Sequence, residues 1–201
     1  MEKSKGQALI DSLAAWFGSR LFLVDLDVAL VLAVWAVGTW VATDRFWTWP
    51  YLVMTAGGPG EGKTTVLKML NVVCRNAFLG SGPSPAFVLR EIMAADGRFT
   101  LLWDEAEAAA SERKGFLSEV LNSGYSRGQW IGRAAGAKGT VRYPSYCPKA
   151  FAMIGDPTET VRTRAIIVDC VKGDPALPWV SSVVAQEGAV LTGMIGEVMA
   201  S

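Results

Sequence analysis

Gly57-Gly58-Pro59-Gly60-Glu61-Gly62-Lys63-Thr64 is the stretch that decides the fold of this chain of 201 residues. It fulfils the pattern G-x-x-x-x-G-K-[ST], in which glycines let backbone N–H groups turn towards phosphate oxygens. An apolar run at residues 51–55 precedes it, and a helical pattern at residues 63–74 follows it. A strand, a glycine-rich loop and a helix in this order predict a phosphate-binding loop at the N-terminal end of a helix.

The residue types of this loop indicate a nucleotide bound together with a divalent cation. Lys63 would reach the β- and γ-phosphates, and the hydroxyl of Thr64 would ligate Mg²⁺. We therefore predict that ATP and Mg²⁺ are the cofactors. The predicted nucleotide-binding residues are Gly57, Gly58, Pro59, Gly60, Glu61, Gly62, Lys63, Thr64 and Thr65.

Two carboxylates, Asp104 and Glu105, follow the apolar run at residues 100–103. Asp104 would hold Mg²⁺, and Glu105 would polarise the attacking water. Because the carboxyl ends of parallel strands meet at one edge of a sheet, we expect both residues to lie near the phosphate loop. The alternative is that the two carboxylates only mark the start of a helix, since acidic residues also favour the first helical turn.

Composition narrows the classes of function. Hydrophobic residues make up 51% of the chain and charged residues 19%, which excludes intrinsic disorder. Basic and acidic residues balance at 19 each, so an anionic partner must be bound by a local patch. The absence of histidine excludes Ser-His-Asp, Cys-His and His-ligated zinc sites. The three scattered cysteines predict a reducing, cytoplasmic location.

The most apolar segment, residues 28–43, is shorter than the roughly 20 apolar residues that a membrane span needs. Asp27 and Asp44 bound it on either side. We interpret it as a helix that packs inside the protein or in a subunit interface, and we expect no membrane partner and no signal peptide.

Short apolar runs alternate with helical patterns along the chain. The runs predict strands at residues 51–55, 87–89, 100–103, 151–154 and 165–171. The helical patterns cover residues 7–19, 28–42, 63–74, 106–121 and 180–199. We predict an α/β fold, a three-layer sandwich with a five-stranded, mostly parallel sheet, N-terminal helices and an inserted β-hairpin. Residues 1–47 would form an N-terminal helical segment, residues 48–175 the P-loop core, and residues 176–201 a C-terminal helical segment.

Residues 120–155 contain five basic residues and no acidic one. Aromatic residues are interleaved with them, a combination that binds single-stranded nucleic acid. Residues 129–133 and 140–143 could form the two strands of a hairpin around the turn at residues 134–139. The predicted DNA-binding residues are Arg127, Trp130, Arg133, Lys138 and Arg142. The alternative is a surface hairpin whose arginines form ordinary ion pairs.

Arg162 and Arg164 precede the last predicted strand. In a ring of subunits, an arginine at this position could reach the γ-phosphate bound by the neighbouring subunit. In a monomer, it would be a cation at the end of a helix.

Several segments together resemble the AAA+ and superfamily 3 helicase-like ATPases, most closely the ATPase domain of phage and mobile-element replication proteins. The resemblance runs from about residue 21 to residue 173. The matching segments are the tryptophan-containing apolar helix, the phosphate loop, and residues 101–106, 121–128, 148–155 and 160–165. One departure is that Gly155 stands where AAA+ proteins place a polar sensor residue.

The resemblance implies an ATP hydrolase whose catalytic residues are Lys63, Glu105 and, as the arginine finger, Arg164. It implies a homo-oligomer, either a ring such as a hexamer or a filament, and a DNA partner, single-stranded rather than duplex, held by the hairpin at residues 126–143. It further implies a role in phage or mobile-element replication or recombination, in the bacterial cytoplasm. The alternative is an ATP-switched remodelling or assembly factor that acts on another protein and binds no DNA.

Overall fold

The computed structural model of the chain describes residues 3–25, 27–106, 114–134, 139–177 and 179–200. Its helices are α1 (Lys5–Arg20), α2 (Asp27–Gly38), α3 (Ala42–Arg45), α4 (Lys63–Val73), α5 (Pro85–Ala94), α6 (Lys114–Ser123), α7 (Glu159–Arg162) and α8 (Ser181–Ala200). Its strands are β1 (Tyr51–Ala56), β2 (Ala77–Gly80), β3 (Thr100–Trp103), β4 (Trp130–Ala134), β5 (Thr140–Pro144), β6 (Lys149–Ile154) and β7 (Ala165–Asp169).

Five parallel strands form the main sheet in the spatial order β2-β3-β6-β1-β7. In its centre, Leu52 of β1 lies opposite Ala150 of β6 and Ile166 of β7. Every residue of β1 is buried, as expected for a strand covered on both faces. The strands all end at one side of the sheet, which we call the carboxyl edge, and begin at the other, the amino edge. The predicted five-stranded sheet is therefore confirmed.

One predicted strand is wrong. Residues 87–89 belong to helix α5, because Pro85 occupies its first turn and the Ser84 hydroxyl accepts a hydrogen bond from the Phe87 N–H. The apolar run is the buried side of this helix, formed by Val88, Leu89 and Ile92. The fifth strand is instead β2, a half-buried edge strand that pairs with β3.

Helices cover both faces of the sheet, which confirms the three-layer sandwich. Helices α1, α2, α4 and α8 share one core with alternate residues of the sheet, among them Leu52 and Leu102. Residues of α5 and α6 pack on the opposite face, against Val53 and Phe151. The predicted hairpin, formed by β4 and β5, is a separate antiparallel pair inserted between α6 and β6.

Helices α1 and α8 are joined by an ion pair and a hydrogen bond to the same carboxylate. Glu187 of α8 accepts a hydrogen bond from Arg20 at 2.7 Å and another from the indole N–H of Trp16 at 2.9 Å. Arg20 is buried, and the carboxylate of Glu187 balances its positive charge. Gly188, next to it, lets α8 approach α4, because a Cβ there would lie 2.2 Å from Val72 Cγ1.

A helix other than the apolar segment at residues 28–43 has the length and composition of a membrane span. Within the described residues, α8 alone is long and apolar enough, and 22% of its most apolar window is buried. The apolar segment at residues 28–43 is divided, because α2 ends at Gly38 and α3 begins at Ala42. Helix α2 has 12 residues, too few to cross a bilayer.

Candidate active site

The phosphate loop lies at the carboxyl edge, between β1 and α4. Gly60 and Gly62 have φ angles of 79° and 88°, a left-handed backbone that glycine adopts without strain. Gly62 is the N-cap of α4, so the unpaired N–H groups of the first helical turn face the loop. The helix dipole adds partial positive charge at the same point, a geometry that favours an anion such as phosphate.

Lys63 begins α4, and its side chain is buried within the loop. Its ammonium donates a hydrogen bond to the carbonyl of Gly58 at 2.9 Å. The loop backbone therefore holds the lysine over the cradle that it would share with phosphate oxygens.

Thr64 and Asp104 meet, as the sequence led us to expect. The Thr64 hydroxyl donates a hydrogen bond to Oδ2 of Asp104 at 2.8 Å. Asp104 directly follows β3, and its own N–H donates to the carbonyl of Gly80 at the end of β2. A hydroxyl and a carboxylate oxygen at this distance, beside a phosphate cradle, are ligands of the kind Mg²⁺ uses when phosphates complete its shell.

Thr64 and Asp104 fit a Mg²⁺ ion whose remaining ligands are phosphates and waters. Within the described part of the chain, no cluster of three or more acidic, cysteine or histidine side chains forms a metal cage. A site with few protein ligands suits Mg²⁺, which keeps several waters and binds through one or two carboxylates plus substrate phosphates.

Glu105 follows Asp104 in an unusual backbone conformation. Its φ is 54°, in the left-handed region, which costs a non-glycine residue about 1–3 kcal/mol. Its side chain is exposed, and its N–H donates to Oδ1 of Asp104 at 3.1 Å. The turn thus directs two consecutive carboxylates differently, one towards Thr64 and one into solvent at the carboxyl edge.

A cavity of about 450 Å³ adjoins the phosphate loop. Besides the loop and the first turn of α4, its lining comprises the end of α1 with the residues after it, the end of β7 with the residues after it, and Trp179. Phe22 in this lining is 44% exposed, so part of its aromatic side chain is accessible to solvent. The cavity is large enough for a small ligand and combines apolar walls with polar loop groups.

Sequence reasoning missed this lining. Phe22 lies some 40 residues before Lys63, and Trp179 more than 100 residues after it, with no motif at either position. It also missed Asp169, at the end of β7, which accepts a hydrogen bond of 2.5 Å from the Thr55 hydroxyl. This contact joins the carboxyl ends of β1 and β7 directly beneath the phosphate loop.

The predicted arginine finger lies at the opposite, amino edge. The guanidinium of Arg164 donates to the carbonyls of Leu121 and Asn122, at 3.3 and 3.2 Å, and lies 5.5 Å from the ring centre of Tyr125. It therefore caps the C-terminal end of α6 in its own chain. Arg162 is more exposed and forms an ion pair of 3.1 Å with Asp156.

The predicted DNA-binding residues divide between the two faces of the hairpin. Trp130 and Arg142 lie on the exposed face, since Arg142 pairs with Gly132 and alternate strand residues share a face. Arg133 points to the other face and forms an ion pair with Glu119, whose pKa its guanidinium holds below the usual value. Arg127 is half-buried beside the hairpin. Lys138 lies outside the described residues.

Lys149, the fifth basic residue of the stretch, is completely buried. Its ammonium donates to the carbonyls of Gly124, Ser145 and Cys147, at 3.1, 2.8 and 3.0 Å. Burial lowers its pKa. Gly124 is needed for this contact, because a Cβ there would lie 2.4 Å from the ammonium. Lys149 therefore fastens the end of α6 and the base of the hairpin to the sheet, and adds nothing to the surface charge.

No protein-family model matches this chain, and no curated protein matches it significantly in sequence. Solved structures do match. The chain superposes on the apo A form of the NrS-1 C-terminal region with a TM-score of 0.50 and 12% identity, over 98% of this chain and 46% of that one. The JCV helicase gives a TM-score of 0.46 at 12% identity, and its inhibitor-bound form 0.43 at 15%. Both JCV matches cover 94% of this chain and 52% of the other. This chain thus spans about half the length of the solved chains it matches, and it shares the α/β sandwich fold of the NrS-1 region.

Proposed function

We propose that this protein is a Mg²⁺-dependent ATPase that assembles into a ring or filament and acts on DNA during phage or mobile-element replication or recombination. The observation that carries the proposal is the hydrogen bond between Thr64 and Asp104 beside the phosphate loop. A glycine-rich loop alone would favour any phosphate ligand. A nucleoside triphosphate bound together with a metal ion also requires a carboxylate beside the threonine of the loop. Here Asp104 provides it from the end of another strand.

Each group at the carboxyl edge has a role in this proposal. The loop N–H groups and Lys63 would bind the phosphates, and Thr64 with Asp104 would hold Mg²⁺, which neutralises charge on the phosphate oxygens. Glu105 would accept a proton from the attacking water. The cavity lined by Phe22 and Trp179 would receive the nucleoside.

Substitution of Lys63 tests the nucleotide assignment. Lys63→Ala should abolish ATP binding, because it removes the side-chain cation of the cradle. Binding is measured with a fluorescent ATP analogue, and turnover by phosphate release. Lys5→Ala, at the exposed start of α1, is the matched control and should bind as the parent does. Hydrolysis at the parent rate by Lys63→Ala would refute the assignment.

The helical face of the protein supports a second candidate, an ATP-switched factor that remodels or assembles another protein. Val34 of α2 and Val190 of α8 are 49% and 65% exposed, apolar surface that a partner subunit or a different protein could cover. The two candidates differ in the effect of DNA on turnover. Stimulation by single-stranded DNA that disappears in the double variant Trp130→Ala, Arg142→Ala supports the DNA-acting ATPase, and turnover that DNA never changes supports the protein remodeller.

A further inference from the structure

The structure places an exposed tryptophan from a distant segment beside the hairpin. Trp47 lies between α3 and β1, about 80 residues before the hairpin, and its side chain is 70% exposed. Trp130, the first residue of β4, is 57% exposed. These two rings are the most exposed tryptophans within the described residues.

The backbone around Trp47 is held firmly although its ring faces water. The carbonyl of Trp47 accepts a hydrogen bond from the N–H of Arg127 at 2.9 Å, and Thr48 forms an antiparallel bridge with Ser126. On the preceding side, the buried Tyr146 donates its hydroxyl to the carbonyl of Phe46 at 3.2 Å. Three contacts therefore fix this segment against the base of the hairpin, so the exposed ring is presented by a rigid backbone.

Most aromatic residues of the basic stretch at residues 120–155 are buried or partly buried, so they cannot stack on nucleic acid. Tyr146 is 5% exposed, and Tyr125 packs edge-on against Tyr51. Tyr143 lies on the inner face of β5, partly buried against the core. Phe151 is buried in the sheet, so Trp130 is the one aromatic residue of that stretch whose side chain is largely exposed. Trp47 provides the second ring that a stacking surface needs.

Arginines accompany both rings. Arg142 shares the exposed hairpin face with Trp130, Arg127 adjoins Trp47 through the backbone, and Arg45 is exposed nearby in the chain. Two acidic residues of this region, Asp44 and Glu119, are held in ion pairs. Asp44 is bound by Arg98 and Arg75, and Glu119 by Arg133. Such a surface complements an anionic backbone that carries exposed bases.

We propose that Trp47, Arg127, Trp130 and Arg142 form one surface, the tryptophan surface, on which single-stranded nucleic acid binds. Its bases stack on the two indoles, and its phosphates lie against the two arginines. Duplex bases are already stacked on each other and cannot use the rings, so a single strand is the occupant. This inference rests on the proposed function for its partner class, but the binding can be measured without nucleotide.

The test is the affinity of the full chain for a fluorescein-labelled oligothymidylate, measured by fluorescence anisotropy at low salt without ATP. Trp47→Ala should weaken binding roughly tenfold or more, because a base loses its stacking partner. Trp47→Phe should retain most of the affinity, since a ring remains. Val24→Ala, which truncates an exposed apolar residue between α1 and α2, is the matched control. Circular dichroism melting confirms that each variant is folded.

The salt dependence tests the arginines. The logarithm of the binding constant falls linearly with the logarithm of the salt concentration. Arg142→Gln should make this slope less steep by roughly 0.7, because one phosphate contact is lost. Arg133→Gln changes the same residue type in the same hairpin, on the face that pairs with Glu119, and should leave that slope unchanged.

Three results would overturn the tryptophan surface. Trp47→Ala could bind the oligonucleotide as tightly as the parent does, or Trp47→Phe could lose as much affinity as Trp47→Ala. The parent could also bind duplex DNA more tightly than a single strand. Binding of a fluorescent ATP analogue to the same variants separates this failure from failure of the proposed function. If Lys63→Ala loses nucleotide while Trp47→Ala keeps the oligonucleotide, the surface is wrong and the ATPase stands. If the parent binds no nucleotide and Trp47→Ala still loses the oligonucleotide, the surface stands and the ATPase is wrong.

Discussion

The hydroxyl of Thr64 and the carboxylate of Asp104 are 2.8 Å apart, although they belong to segments separated by a whole strand–helix unit. Strand β6 lies between β1 and β3 in the sheet, so the loop after β1 and the turn after β3 reach towards each other across it. Their contact depends on the parallel order of three strands.

Substitution of Asp104 tests this contact as a metal site. Asp104→Asn keeps the shape of the side chain but removes its charge. It should raise the Mg²⁺ concentration needed for half-maximal turnover by roughly tenfold or more, since loss of even an indirect metal partner typically weakens affinity 10–100-fold. Asp156→Asn, an exposed carboxylate at the same edge, is the control. An unchanged Mg²⁺ titration in Asp104→Asn would contradict the metal assignment.

Glu105 should act in hydrolysis and not in binding. Glu105→Gln should bind ATP as the parent does and turn over roughly 10²–10⁴-fold more slowly, because an amide cannot accept the proton of water. Single-turnover phosphate release and analogue binding separate the two effects. Loss of binding in this variant would instead assign Glu105 a structural role in the strained turn after β3.

Arg164 should act in trans in an assembled protein. It lies at the amino edge, one strand length of about 20 Å from its own phosphate loop, so it is poorly placed to act in cis. A guanidinium that reaches the neighbouring γ-phosphate contributes roughly 10³–10⁵ in rate. Arg164→Ala and Glu105→Gln subunits should each be inactive alone, and mixed assemblies should regain partial hydrolysis.

One further mixture, of Arg162→Ala with Glu105→Gln subunits, decides the assignment of the finger. Recovery with Arg162→Ala in place of Arg164→Ala, and none with Arg164→Ala, would move the finger to Arg162. Failure of both mixtures, in assemblies shown by mass to be mixed, would remove the trans mechanism. Because Arg164 caps α6 within its own chain, melting of Arg164→Ala must also be measured, with Arg164→Lys as the variant that retains a cation.

The packing of α8 should weaken in acid. Its hydrogen bond from Arg20 lowers the pKa of Glu187, so this carboxylate stabilises the fold fully above its unfolded pKa of about 4.3. That contribution is lost as the pH falls through the lower, folded pKa. Glu187→Gln should therefore be less stable than the parent at neutral pH, by about 1 kcal/mol for this partly exposed pair, and the difference should vanish once the pH has fallen below the lowered, folded pKa. A difference that persists in acid, measured by denaturant unfolding, would contradict this linkage.

Much of the fold followed from local patterns. The phosphate loop with its flanking strand and helix, the strand before Asp104, and the hairpin were predicted where they occur, because glycine spacing and apolar runs depend on neighbours in the chain. The error at residues 87–89 arose because three apolar residues suit a buried strand and the buried side of a helix equally well. Ser84 and Pro85, which start α5, were the signal that decides between the two.

The sequence by itself determined the candidate chemistry, since no other residues in this histidine-free chain pair a glycine-rich loop with a strand that ends in two carboxylates. Only the tertiary structure decided which charges and rings reach solvent. The sequence predicted that Lys149 and Arg133 contribute to a basic surface. In the structure Lys149 is buried among backbone carbonyls, and Arg133 forms an ion pair with Glu119. Trp47 read as part of an N-terminal segment, yet it lies beside the hairpin. Burial and pairing depend on contacts between residues far apart in the chain, and a local pattern carries no record of them.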